Sequence, residues 1–414
     1  MTMIDRLFPR AAHTPVPRGL ATDGPALLSY GFRPFFLGAG VWAVAAMGLW
    51  IGALITGWPL GGSYGAAHWH AHEMLFGYAT AALGGFMLTA IPNWTGRLPV
   101  SGPPLLVLVL LWLAGRAAML APDVAGPTAS AVVEALFLPG LAFVAGREIF
   151  VGRNWKNLKI LGALLALTLA NAGFHASVLL GLDTGYAYRL ALGVLIMLIA
   201  LVGGRIVPSF TRNWLARAKR PLPAPFDGVD RVVLAGTAVA LAGWVIWPET
   251  AAVALLCAVA AVLQAWRLWR WRGWLARTDA LVAILHVGYG FVPLGLLCLA
   301  ASGLGWLTSV SALHVLTVGA IGCMTFAVMT RATLGHTGRP LKASRLTVIG
   351  FAALALSALA RPLAEKVDGL YLEMLALSAA LWIACFALFV FEYGPMLVRP
   401  RVDAARRGEV TAPR

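Results

Sequence analysis

Charge is what this chain has least of. Only 12% of its 414 residues are Asp, Glu, Lys or Arg, about half the share of an ordinary soluble domain. Acid is scarcer than base, with 17 Asp and Glu against 32 Lys and Arg. Mean hydropathy is +0.81 and 60% of the residues are hydrophobic, which excludes a soluble enzyme and a disordered chain. Cysteine is rare too. Cys257, Cys298, Cys323 and Cys385 lie in apolar runs without CxxC or finger spacing. That excludes a disulfide scaffold, and buried thiols are expected. The first thirty residues are polar and Pro-rich and lack the apolar core of a signal peptide, so an uncleaved tail is expected.

Long apolar runs fill the chain instead. Crossing about 30 Å of hydrocarbon takes about 20 apolar residues. Broken at charge, Pro and Gly clusters, such runs number twelve: 34–56, 67–91, 103–121, 129–149, 158–180, 187–207, 231–247, 251–268, 280–302, 308–330, 344–361 and 370–393. The expected fold is all-α, a polytopic membrane domain over 31–395 between a polar tail (1–30) and a basic tail (396–414). The lipid bilayer is then the first partner. The seventh and eighth runs are short and separated only by Pro248-Glu249-Thr250.

The net charge of +15 reads as sidedness. With the N-terminus cytoplasmic and the connections alternating, 28 of the 32 Lys and Arg face the cytoplasm. The other four are Arg116, Arg189, Arg361 and Lys366. This asymmetry is the positive-inside pattern, and it predicts both termini inside. Arg217-Ala218-Lys219-Arg220 and Arg399-Pro400-Arg401 are expected against lipid headgroups, which sets nucleic acid aside as a partner. Trp266, Trp269, Trp271 and Trp274, beside Arg267, Arg270 and Arg272, read as an interfacial anchor.

A repeat runs through the even-numbered spans. From His72 to Thr95 and from His314 to Thr337 the separation is 23 residues in each case. Without a gap, His72 matches His314, Gly77 matches Gly319, Met87 matches Met329, and Thr95-Gly96-Arg97 matches Thr337-Gly338-Arg339. The sixth span joins this register through Gly193, Pro208 and Thr211, with Tyr188 at the His position. Three four-helix units are expected, near 30–152, 153–275 and 276–395.

The histidines gather at one depth. Spans 2 and 10 run inward and span 5 outward, so His68, His70, His72, His175 and His314 share the outer half of the membrane, with Glu73, Glu134 and Asn171 near them. Ionisable groups at such depth are costly and mark function. At 100° per residue His68 and His72 share one helix face and His70 and Glu73 another. Two imidazoles suit a low-spin haem iron, and His72 with His314 is the expected pair. His68, His70 and His175 remain candidates for a second metal. Arg361 and Arg116 are candidate partners for haem propionates. His286 is expected to be hydrogen-bonded and structural, His336 and His13 solvated, and Met74, Met87, Met197, Met324 and Met329 to be packing.

Three stretches carry a specific likeness: Gly31-Phe32-Arg33-Pro34-Phe35-Phe36, Trp69-His70-Ala71-His72-Glu73-Met74-Leu75-Phe76-Gly77 and Ala90-Ile91-Pro92-Asn93-Trp94-Thr95-Gly96-Arg97. Through them the chain resembles the NnrS family of bacterial inner-membrane proteins. The resemblance implies haem, possible copper, and a role in the nitric oxide response or denitrification, with nitric oxide or a small redox partner as what it meets. It supplies no reaction. The helix layout is also similar to the catalytic subunits of haem–copper oxidases and nitric oxide reductases, where helices 2 and 10 supply low-spin haem ligands. The histidines that hold the active-site metal on helices 6 and 7 of those proteins have no counterpart in 187–207 or 231–247. If copper binds, His68, His70 and His175 are the candidates.

Two other functions fit the same span count. One is a twelve-helix secondary transporter; against it, Asn93-Trp94-Thr95-Gly96-Arg97 lacks the acidic, multi-Arg loop of major-facilitator proteins, and the repeat is threefold rather than twofold. The other is a metal-delivery or protective membrane factor without turnover, which needs the same ligands as a redox protein.

Overall fold

The computed structural model describes residues 24–402 apart from Asp368. Most of both expected tails, and His13, lie outside the described residues. Twelve helices are long and apolar enough to cross a membrane: α1 (Phe32–Thr56), α2 (Gly62–Thr95), α3 (Pro103–Leu120), α4 (Pro127–Val151), α5 (Trp155–Leu179), α6 (Gly185–Arg217), α7 (Gly228–Ile246), α8 (Ala251–Arg270), α9 (Ala280–Gly303), α10 (Ser309–His336), α11 (Arg345–Leu363) and α12 (Tyr371–Val398). Among the described residues there is no strand. The two short runs are separate helices. α7 opens on a capping box, in which Asp227 accepts from the Val229 and Asp230 backbone and Asp230 answers to the Asp227 amide, satisfying donors a helix start otherwise leaves bare.

Consecutive helices pack on one another and α12 packs on α1, closing the bundle into a ring. α2, α6 and α10 also touch each other across its middle. Accordingly α2 and α10 are the most enclosed, with 78% and 72% of their most apolar stretch buried, against 33% for α1, α3 and α12. Between α2, α6 and α10 lies an apolar cavity of about 90 Å³, lined in part by Met87, Met324 and Met329, so these methionines serve packing. It shares Phe36, Phe86, Ile206 and Val328 with a larger cavity of about 350 Å³, where Asn93, Arg331 and His336 add polar lining.

Side chains tie both ends of the bundle. Where the start of α1 meets the end of α12, Arg33 Nη1 donates to the Leu397 and Arg399 carbonyls at 2.8 and 2.7 Å. At the other end, which holds the N-termini of α2 and α10, the Ser63 amide donates to Asp123 at 3.0 Å. Lys366 Nζ there donates to the Trp306 carbonyl at 3.3 Å. This second end is the histidine end.

Each central helix contains a π turn: Glu73–Ala79, Ile199–Gly203 and Val315–Gly322. In α2 and α10 the turn opens on the residue after His72 and after His314, the two positions matched in the repeat register. In α6 it falls further along the helix.

A π turn interrupts the regular helix ladder. In α6 the Ala200 carbonyl accepts from Arg267 Nη1 at 2.8 Å. Arg267 also donates to Asp230 at 2.7 Å and to the Tyr289 hydroxyl at 2.9 Å. This corrects the reading of the Trp/Arg cluster as wholly interfacial. Arg267 and Trp271 are buried, whereas Trp266, Trp269 and Trp274 are exposed as an anchor would be. The interior carbonyl and Asp230 together draw the guanidinium inward. His336 also departs from expectation: it ends α10, stacked on Tyr30 with ring centres 5.5 Å apart and close to Phe32. Its ring gains more from these aromatic neighbours than from water.

Candidate metal centres

The start of α2 aims histidines in two directions. Residues two apart on a helix point about 200° apart, so His70 and His72 cannot serve the same neighbour. His72 is fully buried and faces α4 and α5; His70 is half-buried and faces α1 and α10.

The first cluster centres on one oxygen of Glu134 in α4. His175 Nε2 from α5 lies 2.8 Å from Glu134 Oε2 and His72 Nε2 lies 3.4 Å from it. The two imidazole rings are 4.7 Å apart. Together the three side chains offer donor atoms within 4.8 Å of one another, all buried. The outer nitrogens are held as well. His72 Nδ1 is 2.9 Å from Glu73 Oε1, and the Tyr64 hydroxyl is 2.7 Å from His175 Nδ1. Asn171 of α5 donates to Glu134 Oε2 at 2.7 Å and turns its oxygen to His72 Nε2 at 3.1 Å. Arg116 of α3 bridges the two acids, donating to Glu73 and, at 2.5 Å, to Glu134 Oε1. Gly77 leaves room for this pairing, because a Cβ there would run into Arg116 Nη1, Glu73 Oε2 and Trp42 Nε1.

The second cluster lies between α2, α10 and α11. His70 and His314 lie within electrostatic reach of each other and of Arg361. His70 stacks on Trp50 of α1, ring centres 4.7 Å apart and 17° from parallel. His314 Nδ1 donates to the Val310 carbonyl at 2.7 Å, which fixes the ring and leaves Nε2 as a lone-pair donor. Three buried polar atoms here make no hydrogen bond: His70 Nδ1, Arg361 Nε and Arg361 Nη1, the last only 3.8 Å from Glu365. Such orphans are rare in native proteins and ask for a missing group.

A family model described as NnrS protein matches residues 26–401. The chain belongs to the NnrS family. Its match spans all twelve helices and both histidine clusters, and membership associates the protein with the nitric oxide response. No curated protein matches the chain.

In this NnrS chain the residues singled out from the sequence are distributed as follows. His72 and His175 come together with Glu134 and Asn171; His70 and His314 are only within electrostatic reach of each other and of Arg361. The structure does not bring His72 and His314 into contact: His72 packs against His175 of α5, whereas His314 is hydrogen-bonded to the Val310 carbonyl of its own helix. Glu73 sits with His72 rather than His70: its side chain reaches back to His72 Nδ1 and is held there by Arg116. Arg116 is committed to two carboxylates of the chain, whereas Arg361 has only a long ion pair to Glu365, at 3.8 Å, with Nε and Nη1 making no hydrogen bond. His68 is exposed, its Nδ1 3.1 Å from the Tyr64 carbonyl, and its ring meets Phe174 edge-on rather than either cluster. His286 is hydrogen-bonded to Thr211 at 2.8 Å, the structural role expected of it. Tyr64, Trp42 and Trp50 went unnoticed in the sequence. Tyr64 and His68 are four apart, a helix-face signal that was there to be read; nothing local marks the two tryptophans.

Proposed function

We propose that this NnrS-family protein acts in the nitric oxide response as a haem protein, with the haem held at the histidine end between α2 and α10. His70 and His314 would hold its iron, and Arg361 would pair with a carboxylate of the group. The observation that carries this reading is the set of buried atoms that make no hydrogen bond, His70 Nδ1 and Arg361 Nε and Nη1, beside a His314 whose Nε2 is free. A group that satisfies them all must coordinate imidazole and also present an anion to a guanidinium, and haem does both. Held by two imidazoles, such a group would supply electron transfer.

The chain's own residues do the rest. Trp50 holds the His70 ring by stacking, the Val310 carbonyl orients His314, and Glu365, 3.8 Å from Arg361 Nη1, limits where the guanidinium can swing. The isolated cysteines provide no CxxCH attachment, which supports a non-covalent, b-type group. Nitric oxide is apolar enough to enter through lipid, and the apolar cavity between α2, α6 and α10 asks for no polar path. The 28-to-4 distribution of basic residues supports an inner-membrane protein with both termini cytoplasmic and the histidine end outside.

The test is the optical spectrum of the protein purified in detergent. A Soret band is expected, lost in His70→Ala and His314→Ala and kept in His286→Ala. Absence of the band from the unaltered protein overturns the haem, and its survival in both ligand variants overturns the ligands.

A further inference from the structure

We infer that the cavity of about 350 Å³ between α2, α6 and α10, at the end of the bundle opposite the histidines, binds a single-chain amphiphile with a carboxylate head. Arg331 of α10 is the starting point. Its side chain is half-buried, lines the cavity and makes no hydrogen bond or ion pair with any described residue. What holds it is the Phe210 ring of α6, whose centre lies 3.9 Å from the guanidinium carbon. The aromatic face attracts the cation, but it leaves the five N–H groups without an acceptor oxygen. One acid, Asp279, and one base, Arg217, lie within electrostatic reach and act on Arg331 in opposite senses. Asp279 is already engaged by the Val282 amide at 3.2 Å, as the cap of α9. No Asp or Glu lines the cavity. Its wall therefore carries one positive charge that no side chain of the cavity offsets.

Charge, lining and size select the occupant. A lone guanidinium offsets one negative charge, which suits a carboxylate and matches its two oxygens with a planar fork. A phosphate monoester brings about −1.5 to −2, more than this wall can balance. Asn93 and His336 line the same cavity and add N–H groups. The Asn93 amide nitrogen has only a 3.5 Å contact to the Thr89 carbonyl, and His336 makes no hydrogen bond with the described residues. Away from these groups the lining is apolar. Phe36, Phe86, Ile206 and Val328 also border the inner cavity of about 90 Å³, where Met87 and Met324 stand. An inorganic anion would gain nothing from that wall, whereas an acyl chain fits it, and methionine adapts readily to such a shape. A volume of about 350 Å³ is that of about a dozen waters and falls in the range of small-molecule sites. It is too small for a phospholipid with two chains. The head is thus placed on Arg331 and the chain toward Met87 and Met324.

The experiment uses the purified full chain in phosphatidylcholine nanodiscs and a decanoate carrying a photoreactive diazirine at its far end. Illumination is expected to label the cavity-lining stretches of α2, α6 and α10, and unlabelled decanoate to suppress the labelling. Decanol, which keeps only the chain, and inorganic phosphate, which keeps only an oxyanion, are expected not to compete. Arg331→Gln is expected to reduce the labelling at least tenfold, the loss of a charge-assisted bond. Ala332→Phe keeps Arg331 and fills the space beside it, with the same expected result, and it decides the matter if Arg331→Gln fails to fold. The competition arms need no variant. The proposal is overturned if the label falls only on lipid-facing residues, if decanol or phosphate competes as well as decanoate, or if both variants are labelled like the unaltered protein. A missing Soret band counts against the haem alone and leaves the labelling intact.

Discussion

His70 and His72 stand two residues apart on α2 and serve opposite sides of it. His70 lies against Trp50 and His72 against His175, each with ring centres 4.7 Å apart. One helix start therefore feeds two clusters through different neighbours. The expected consequence is a dissociation. His70→Ala removes the Soret band, while His72→Ala leaves it and lowers the melting temperature in detergent, because Glu73 and Glu134 lose a partner. Spectra and thermal unfolding of the same two preparations check it; loss of the Soret band in a His72→Ala protein that remains helical speaks against two separate clusters.

Arg116 is the keystone of the first cluster. Its side chain is 4% exposed and spans Glu73 and Glu134. Removing one partner of a buried ion pair leaves an uncompensated charge and costs about 3–5 kcal/mol. Arg116→Leu is thus expected to lower the melting temperature in detergent markedly. Arg116→Lys is expected to recover only part of the loss, because a single ammonium cannot repeat the two-pronged fork. A melting temperature unchanged in Arg116→Leu would mean that the two acids are protonated in the fold.

Much of this architecture was legible in the sequence. The twelve spans follow from hydrocarbon thickness, and the depth of the histidines from the direction of each helix. What could not be read was azimuth. A uniform 100° step placed Glu73 with His70, but its long side chain reaches its neighbour His72 and is drawn there by Arg116 from α3, 43 residues away in sequence. The pairing of His72 with His314 assumed that matched positions in a repeat face each other; instead His72 packs against His175 of α5 and His314 bonds within its own helix. Arg267 looked interfacial because its fate depends on the Ala200 carbonyl, 67 residues earlier, which no local pattern announces.

Gly77 gives a sharp steric test. A Cβ there would collide with Arg116 Nη1 and stand 2.8 Å from both Glu73 Oε2 and Trp42 Nε1. Gly84, two turns further along α2, has only Phe137 at 3.4 Å and Leu141 at 3.5 Å, ordinary contacts. Gly77→Ala is expected to displace Arg116 and lower the melting temperature in detergent. Gly84→Ala is expected to stabilise the helix slightly, since alanine is the better helix former by about 1 kcal/mol. Melting temperatures of the two variants, compared side by side, separate steric displacement of Arg116 from a general loss of helix packing.

The buried pair of Arg267 and Asp230 offers a test of fold rather than function. Arg267 is fully buried, donates to Asp230 at 2.7 Å and reaches Tyr289 and the Ala200 carbonyl as well. Arg267→Met alone leaves the Ala200 carbonyl without this donor and leaves Asp230 only Arg270 Nη1 at 3.5 Å and the Asp227 amide at 3.1 Å, and is expected to cost about 3 kcal/mol. In Arg267→Met with Asp230→Leu the under-paired carboxylate is gone; the Ala200 carbonyl and the Tyr289 hydroxyl lose a donor, and the Asp227 amide and Arg270 lose Asp230 as an acceptor. Tyr289 still bonds Gln264 at 2.7 Å. The double variant should therefore regain most of the lost stability, because replacing both members of a buried ion pair by apolar side chains is often neutral. Thermal unfolding in detergent reads the difference. If the double variant is no more stable than the single one, the guanidinium's main task is the Ala200 carbonyl, and the π turn in α6 depends on it.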